Sequence, residues 1–422
     1  MRKFLKFVGF AILALCSPAL LADEDFQGAT HLMPFEDAVL QYNSAPVNNP
    51  ISQLQKRIDS GRAALHFSRR DGYLDDLLSQ LHILKSSQVL VFSKTSFQKE
   101  LISPSTPRAL FFNDDVYIGY IPGAPIMEIS SADPNLGGVF YILDQNKVEK
   151  PEFERRDQCL ECHATSRTMG VPGFTVRSFV TDKSGEVDST SGLSVVDHRT
   201  PIEDRWGGYY VTGYHGNQAH RGNLIGQAAF DKQATKPNFK GDVTDLSSFF
   251  DVDRYPGTNS DIVALMVLEH QTHMHNFITR LRDETALKMA AYGHIHYVTN
   301  IAESFLKYML FSGEAPIKSE IRGNSSFMKE FQAQGPFDNK GRSLRQFDLK
   351  RRMFKYPCSY LIYSKTFDGL PDPIREYVWN RLLEIFTGKN GPADFPEIPM
   401  ETKRAMFEII RDTKKKEWGK DG

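Results

Sequence analysis

The spacing of apolar residues changes twice along this chain, and the changes divide it into three regions. Between residues 23 and 104 apolar residues recur every three or four positions, as at Ile51, Leu54 and Ile58. This spacing predicts a mainly helical N-terminal segment. Near the end of the segment, the run SSQVLVFSK has an unbroken apolar centre and predicts the first β-strand.

Residues 105 to 240 have the pattern of a β-rich region. Short runs of β-branched and aromatic residues are separated by turns rich in Gly, Pro and Asp. The runs with this pattern are RALFFNDDVYIGYI, APIMEIS, GGVFYILD, GFTVRSFV and GGYYVTGYHG. In the first of them, Asn113, Asp114 and Asp115 predict the turn of a hairpin.

Residues 260 to 422 return to a helical pattern. Ser260 is predicted to cap a long helix that has Asp261 in its first turn. Asp372, directly before a proline, predicts the start of another helix, and a further one is expected over Met400–Arg411.

Together the three regions predict an α+β fold. The β-rich region would be flanked by the N-terminal helical segment and by a C-terminal helical domain. We expect the junction with that domain between residues 235 and 260, where Pro, Gly and polar residues are frequent. The length of 422 residues allows two or three domains of about 150 residues each.

The first 22 residues have the features of a secretory signal peptide. Positive charges at Arg2, Lys3 and Lys6 precede an apolar run that is too short to cross a bilayer. We expect cleavage after Ala22 and a periplasmic or secreted protein without a transmembrane segment. A lipid anchor on Cys16 is the alternative, which the bulky leucine before that cysteine disfavours.

Charge and cysteine content exclude several classes of protein. Without the signal peptide, 48 Lys and Arg residues remain against 52 acids, a net charge of −4, and nothing indicates nucleic-acid binding. Three cysteines remain after Cys16 is removed, which is too few for a disulfide scaffold. They are Cys159, Cys162 and Cys358, and Cys358 is predicted to be a buried structural thiol because its flanks are apolar.

The stretch QCLECH, residues 158 to 163, carries the strongest chemical signal in the chain. Two cysteines with two residues between them can form thioethers with the two vinyl groups on one edge of a haem. The histidine that follows can then bind the iron from one side. In this interpretation Cys159 and Cys162 hold one covalent haem c, and His163 is the proximal iron ligand. An export signal favours it, because bacteria attach haem c outside the cytoplasm.

Two other interpretations of this motif need more than the chain offers. A zinc site needs two further good ligands, and Cys358 cannot complete a second cysteine pair by itself. A redox-active dithiol is expected at the start of a helix within a βαβ unit, and the sequence around Cys159 indicates neither.

Several stretches of the chain also resemble a group of exported bacterial proteins described as cytochrome c domain-containing. They are SKTSFQ, PRALFFNDDVYIGYIPGAPIMEI, CLECH with VPG after it, DHRTP, RWGGYYVTG and HQTHMHN. The resemblance covers most of the chain after the signal peptide and implies a covalent haem at Cys159, Cys162 and His163. It implies no particular reaction. Outside the motif, the β-rich flanks differ from those of small soluble cytochromes c.

The ligand on the opposite side of the iron decides the class of function. A strong sixth ligand is typical of an electron carrier, and an open sixth position is typical of an enzyme. His273 is our first candidate for this ligand, followed by His270 and His198. On a helix His273 shares a face with Glu269, which also makes a second metal site conceivable, whereas His275 points elsewhere. Weaker candidates are His215, His220, His294, His296 and Met169.

Four arginines are candidates for binding the carboxylates of the haem, because a guanidinium suits a buried carboxylate. They are Arg177, Arg199, Arg205 and Arg221. An ordinary surface ion pair is the alternative for each of them.

These observations leave three functions open. The first is a periplasmic haem protein for electron transfer, whose partner would be a redox protein or a small-molecule electron donor or acceptor. The second is a haem-dependent oxidoreductase, peroxidase-like or acting on another small molecule, which the large size of the chain favours. The third is a non-catalytic haem-binding sensor module. The sequence does not decide whether the protein is an enzyme, nor its oligomeric state.

Overall fold

The computed structural model describes residues 31–188, 190, 194–389 and 395–415, so the predicted signal peptide lies outside the described residues. Its strands are β1 (Val89–Val91), β2 (Arg108–Phe112), β3 (Val116–Tyr120), β4 (Ile126–Asp133), β5 (Gly137–Asp144), β6 (Phe153–Arg155), β7 (Arg177–Ser178), β8 (Ser194–Val195) and β9 (Tyr209–Tyr210). An antiparallel sheet of seven strands has the order β6-β5-β4-β3-β2-β1-β9, and β7 pairs with β8 separately.

Helices surround this sheet, and their combination with it confirms the predicted α+β class. They are α1 (Pro50–Asp59), α2 (Leu74–Gln80), α3 (Leu160–His163), α4 (Gln227–Thr235), α5 (Ile262–Tyr292), α6 (Thr299–Met309), α7 (Phe327–Ala333), α8 (Lys365–Asp368), α9 (Asp372–Thr387) and α10 (Met400–Thr413).

The predicted hairpin turn is confirmed between β2 and β3. The side-chain oxygen of Asn113 accepts the N–H groups of Asp115 and Val116, which closes the turn locally. Because successive strands from β2 to β6 are joined in order, residues that alternate along each strand share one face of the sheet.

The N-terminal segment covers one face of the sheet. Helix α1 begins after Asn49, whose side chain accepts the N–H of Ser52. The buried Leu54 of this helix belongs to the same apolar cluster as Phe111 and Ile118 of the sheet. The segment predicted to be mainly helical contains two helices, α1 and α2, and most of its described residues lie outside them. The predicted first strand is β1.

Helix α5 covers the opposite face. It is 31 residues long, and every residue from Ile262 to Thr285 is buried. Its N-cap is Asp261, whose carboxylate accepts the first free N–H groups of the helix, so the predicted cap at Ser260 is wrong by one residue. The hydroxyl of Ser260 instead donates to the carbonyl of Tyr210 and accepts the N–H of Leu90, which ties the helix start to β9 and β1.

The C-terminal helices and the sheet share one apolar core. Val89 and Tyr117 of the sheet lie in the same buried cluster as Leu265 of α5 and Ile410 of α10. The regions on the two sides of residues 235–260 pack on each other in this core. The domain junction expected there stays a prediction. Within the described part of the chain, no helix is long and apolar enough to cross a membrane.

Candidate haem-binding site

A cavity of about 320 Å³ lies between the QCLECH segment, the sheet and α5. Its volume is within the usual range for small-molecule and cofactor sites. The sheet contributes the side of β2 to β5 that faces α5, and α5 itself contributes Leu268 and Thr272. The sheet residues on the cavity are Arg108, Leu110, Tyr117, Gly119, Glu128, Ile129, Ser130, Phe140, Tyr141, Ile142 and, from β9, Tyr209.

The QCLECH segment is helical and forms one wall of this cavity. A 3-10 turn over Asp157–Cys159 leads directly into α3, so Cys162 follows Cys159 by one helical turn. The two cysteines and His163 all line the cavity, as the haem interpretation requires. Cys159 is half-buried, Cys162 is exposed, and both are free thiols. The sequence did not predict this short helix, because four residues are too few to show a period.

His163 is held in the orientation and tautomer of a metal ligand. Its Nδ1–H donates to the carbonyl of Gly173 over 3.0 Å, and its ring lies 4.7 Å from that of Phe140. Within the described residues Nε2 makes no hydrogen bond, so its lone pair is available to an iron. Burial lowers the pKa of His163 to about 4, which keeps the imidazole neutral near pH 7.

The carbonyl that orients His163 is fixed from α5. The side chain of Asn276 accepts the N–H of Phe174 over 2.8 Å and donates to the carbonyl of Phe174 over 2.7 Å. A Cβ on Gly173 would lie 2.2 Å from the side-chain oxygen of Asn276, so only glycine allows this approach. The sequence analysis did not identify Asn276 as a site residue.

Two observations disfavour the other interpretations of the cysteine pair, although Cys159 does lie at the start of α3, as a redox-active dithiol would require. Burial raises the pKa of the Cys159 thiol to about 11, whereas a redox-active cysteine needs a lowered pKa. Across the described ranges, no group of three or more His, Cys, Asp or Glu side chains is arranged to hold a metal ion, as a zinc site would require. A haem does not need such a group, because the porphyrin supplies four of the iron ligands.

The three histidines predicted for the opposite side of the iron lie in a separate buried cluster. Nδ1 of His198 and Nδ1 of His270 share a hydrogen bond of 2.9 Å, and Nε2 of His270 lies 2.9 Å from the hydroxyl of Ser359. Nε2 of His273 lies 3.7 Å from the carboxylate of Asp197. None of the three lines the cavity, so the structure does not bring them to His163.

The weaker candidates for this ligand are also away from the cavity. His275 donates from Nε2 to the carbonyl of Asp114, and His215 is bonded through Nδ1 to the carbonyl of Gln218. Of the others, His220 is buried, His294 and His296 are exposed, and Met169 lies in the core.

Of the four arginines predicted to bind haem carboxylates, only Arg177 lines the cavity. The other three have carboxylate partners elsewhere in the protein, Arg199 with Asp197, Arg205 with Glu269 and Arg221 with Asp204. The pair of Arg205 and Glu269 is fully buried and is completed by the indole N–H of Trp206. Removing one member of such a pair costs about 3–5 kcal/mol, because the other charge is left buried without a partner.

Sequence reasoning missed Arg108, Glu128 and Gly119. Arg108 and Glu128 form an ion pair of 2.8 Å across β2 and β4, and Gly119 lies next to both of them on β3. The alternation of residues along the strands could have placed all three on one face. It could not have shown that this face lines a cavity, because the other walls come from distant parts of the chain.

Comparisons with known proteins gave no match: no family model, no curated protein and no solved structure matches this chain.

Gly119 provides a test of the cavity. Leucine at this position would project into the cavity, so we expect Gly119→Leu to reduce the haem content of the purified protein at least about tenfold. Gly119→Ala is the matched control, because its Cβ would lie at ordinary contact distance, 3.4 Å, from Arg108 and Glu128. The haem absorbance per mole of protein measures the haem content, and thermal unfolding shows whether each variant is folded. Equal haem content in the two folded variants would contradict the assignment of this cavity.

Proposed function

We propose that this chain is an exported redox protein that carries one covalent haem c in the cavity beside Cys159, Cys162 and His163. The observation that carries the proposal is the convergence of two free cysteines and one oriented, neutral histidine on a single, largely apolar cavity. The residues around them fit a flat apolar cofactor with polar edges, because twelve of the 27 lining residues are aromatic or aliphatic and the others are mainly polar or charged.

Each residue of the motif has a separate task in this proposal. The thiols of Cys159 and Cys162 would hold the haem, each by adding its S–H across one vinyl double bond to give a C–S bond and a C–H bond. Nε2 of His163 would hold the iron through its lone pair, and the carbonyl of Gly173 keeps the ring in place. Phe140 packs against His163, and α5 excludes water from the side of Leu268. The bound haem supplies reversible one-electron chemistry.

The walls of the cavity favour an open sixth position on the iron. Among the described lining residues there is no methionine and no histidine other than His163. Iron held by one protein ligand exchanges small molecules more readily than iron held by two. This observation supports the haem-dependent oxidoreductase over the simple electron carrier. Electron transfer remains the second candidate, because Cys162 is exposed and a haem attached there would be accessible to a redox partner.

Covalent attachment is tested by removing the cysteines. We expect the pyridine haemochrome spectrum of denatured wild-type protein to show covalent haem. Replacing both residues, Cys159→Ala with Cys162→Ala, should abolish it, because no thioether can form. Cys358→Ala is the matched control, since this cysteine is buried in the core away from the cavity. Covalent haem that persists in the double variant would contradict the proposal.

The spin state of the oxidised iron tests the open sixth position. We expect a high-spin ferric spectrum that converts to low-spin on addition of cyanide, because no described lining residue supplies a strong second ligand. A low-spin spectrum in the untreated protein would contradict the open site and favour the electron carrier. If that signal were then lost in His273→Ala, His270→Ala or His198→Ala, the buried histidine cluster would be the source of the ligand.

A further inference from the structure

Arg177 is a half-buried cation on the cavity, and no described Asp or Glu forms an ion pair with it. Its guanidinium lies over the ring of Phe179, 4.9 Å from the ring centroid. Burial lowers the pKa of Arg177. A guanidinium that is partly buried without a counter-charge is unfavourable, so an anion bound at this position would stabilise the protein.

Two carboxylates line the cavity, Glu128 and the exposed Glu161. Oε2 of Glu128 accepts from Arg108 over 2.8 Å, and Oε1 accepts the N–H of Gln98 over 3.1 Å. Glu128 therefore neutralises Arg108, and within the described residues no hydrogen bond or ion pair joins it to Arg177. The charged residues that line the cavity sum to one net positive charge; they are Arg108, Arg156, Arg177, Glu128 and Glu161.

Two residues that line the cavity each carry a buried polar atom that has no hydrogen-bond partner within the described residues. The atoms are Nε of Arg108 and the hydroxyl oxygen of Thr175. Each such atom costs about 1–3 kcal/mol if it stays unbonded, so native proteins rarely keep several in one place. Both can donate a hydrogen bond, as Arg177 can, and a ligand that accepts hydrogen bonds from all three is an oxyanion.

We propose that Arg177, together with Nε of Arg108 and the hydroxyl of Thr175, forms a binding subsite for a carboxylate or another oxyanion inside the cavity. A guanidinium recognises such groups with two parallel hydrogen bonds. Where the anion is a propionate of the haem, the subsite rests on the proposed function. Where the anion is a diffusible oxyanion, the subsite indicates that the substrate at the open iron position is negatively charged.

The test uses the haem-loaded protein and three variants. Arg177→Gln removes the charge, Arg177→Lys keeps it, and Arg221→Gln is the matched control, because Arg221 pairs with Asp204 away from the cavity. The readouts are the midpoint potential of the haem and the binding of nitrite and acetate, followed by the change in the haem spectrum.

The two sources of the anion give different results. A propionate in the subsite predicts that the midpoint potential gains a dependence on pH in Arg177→Gln but not in Arg177→Lys, because a propionate that loses its cationic partner is protonated more readily. A diffusible anion predicts saturable binding of nitrite or acetate to the wild type, with a dissociation constant raised at least about tenfold in Arg177→Gln. Either result supports the subsite.

If Arg177→Gln equals Arg221→Gln in both readouts, the subsite does not exist, although the haem assignment stands. If the wild type carries no haem, the proposed function fails separately. The subsite is then tested by calorimetric titration of the same protein with acetate. Binding that is lost in Arg177→Gln supports it, and absence of binding to the wild type overturns it.

Discussion

The pair of hydrogen bonds between the side chain of Asn276 and the backbone of Phe174 connects the long buried helix to the cysteine motif. It fixes the chain at Gly173, whose carbonyl accepts a hydrogen bond from Nδ1–H of His163. If either bond were lost, a buried polar group would remain unbonded at a cost of about 1–3 kcal/mol. The orientation of the proposed iron ligand therefore depends on α5, which lies about a hundred residues further along the chain.

The same constraint organises the other loops around α5. A helix that is buried over most of its length must find internal partners for every polar side chain it carries. Gln271 donates to the carbonyl of Asn113, His275 donates to the carbonyl of Asp114, and Glu269 accepts from Arg205 and Trp206. These bonds hold the β2–β3 turn and the segment before β9 against the helix. The polar residues of α5 that looked like ligand candidates are largely occupied in this way.

Local patterns in the sequence predicted the strands, the hairpin turn at Asn113, the long helix after Asp261 and the cysteine–histidine motif. These features depend on residues close in sequence, through periodicity, turn chemistry and spacing. The neighbours of a histidine or arginine side chain are set by packing between distant segments. For this reason Arg177 could not be distinguished from the three other candidate arginines, and Arg108 and Asn276 were not predicted. His273 was the first candidate for the second iron ligand, although it lies outside the cavity. The haem itself and the exported location remain proposals.

The central claim is that the cavity beside the cysteine motif holds one iron through His163. Anomalous X-ray scattering at the iron absorption edge, from crystals of the purified protein, tests it most directly. We predict one iron peak inside the cavity, at bonding distance from Nε2 of His163 and on the side of the sheet that carries Gly119. An iron peak at the buried histidines His198, His270 and His273, or no iron peak at all, would contradict the account.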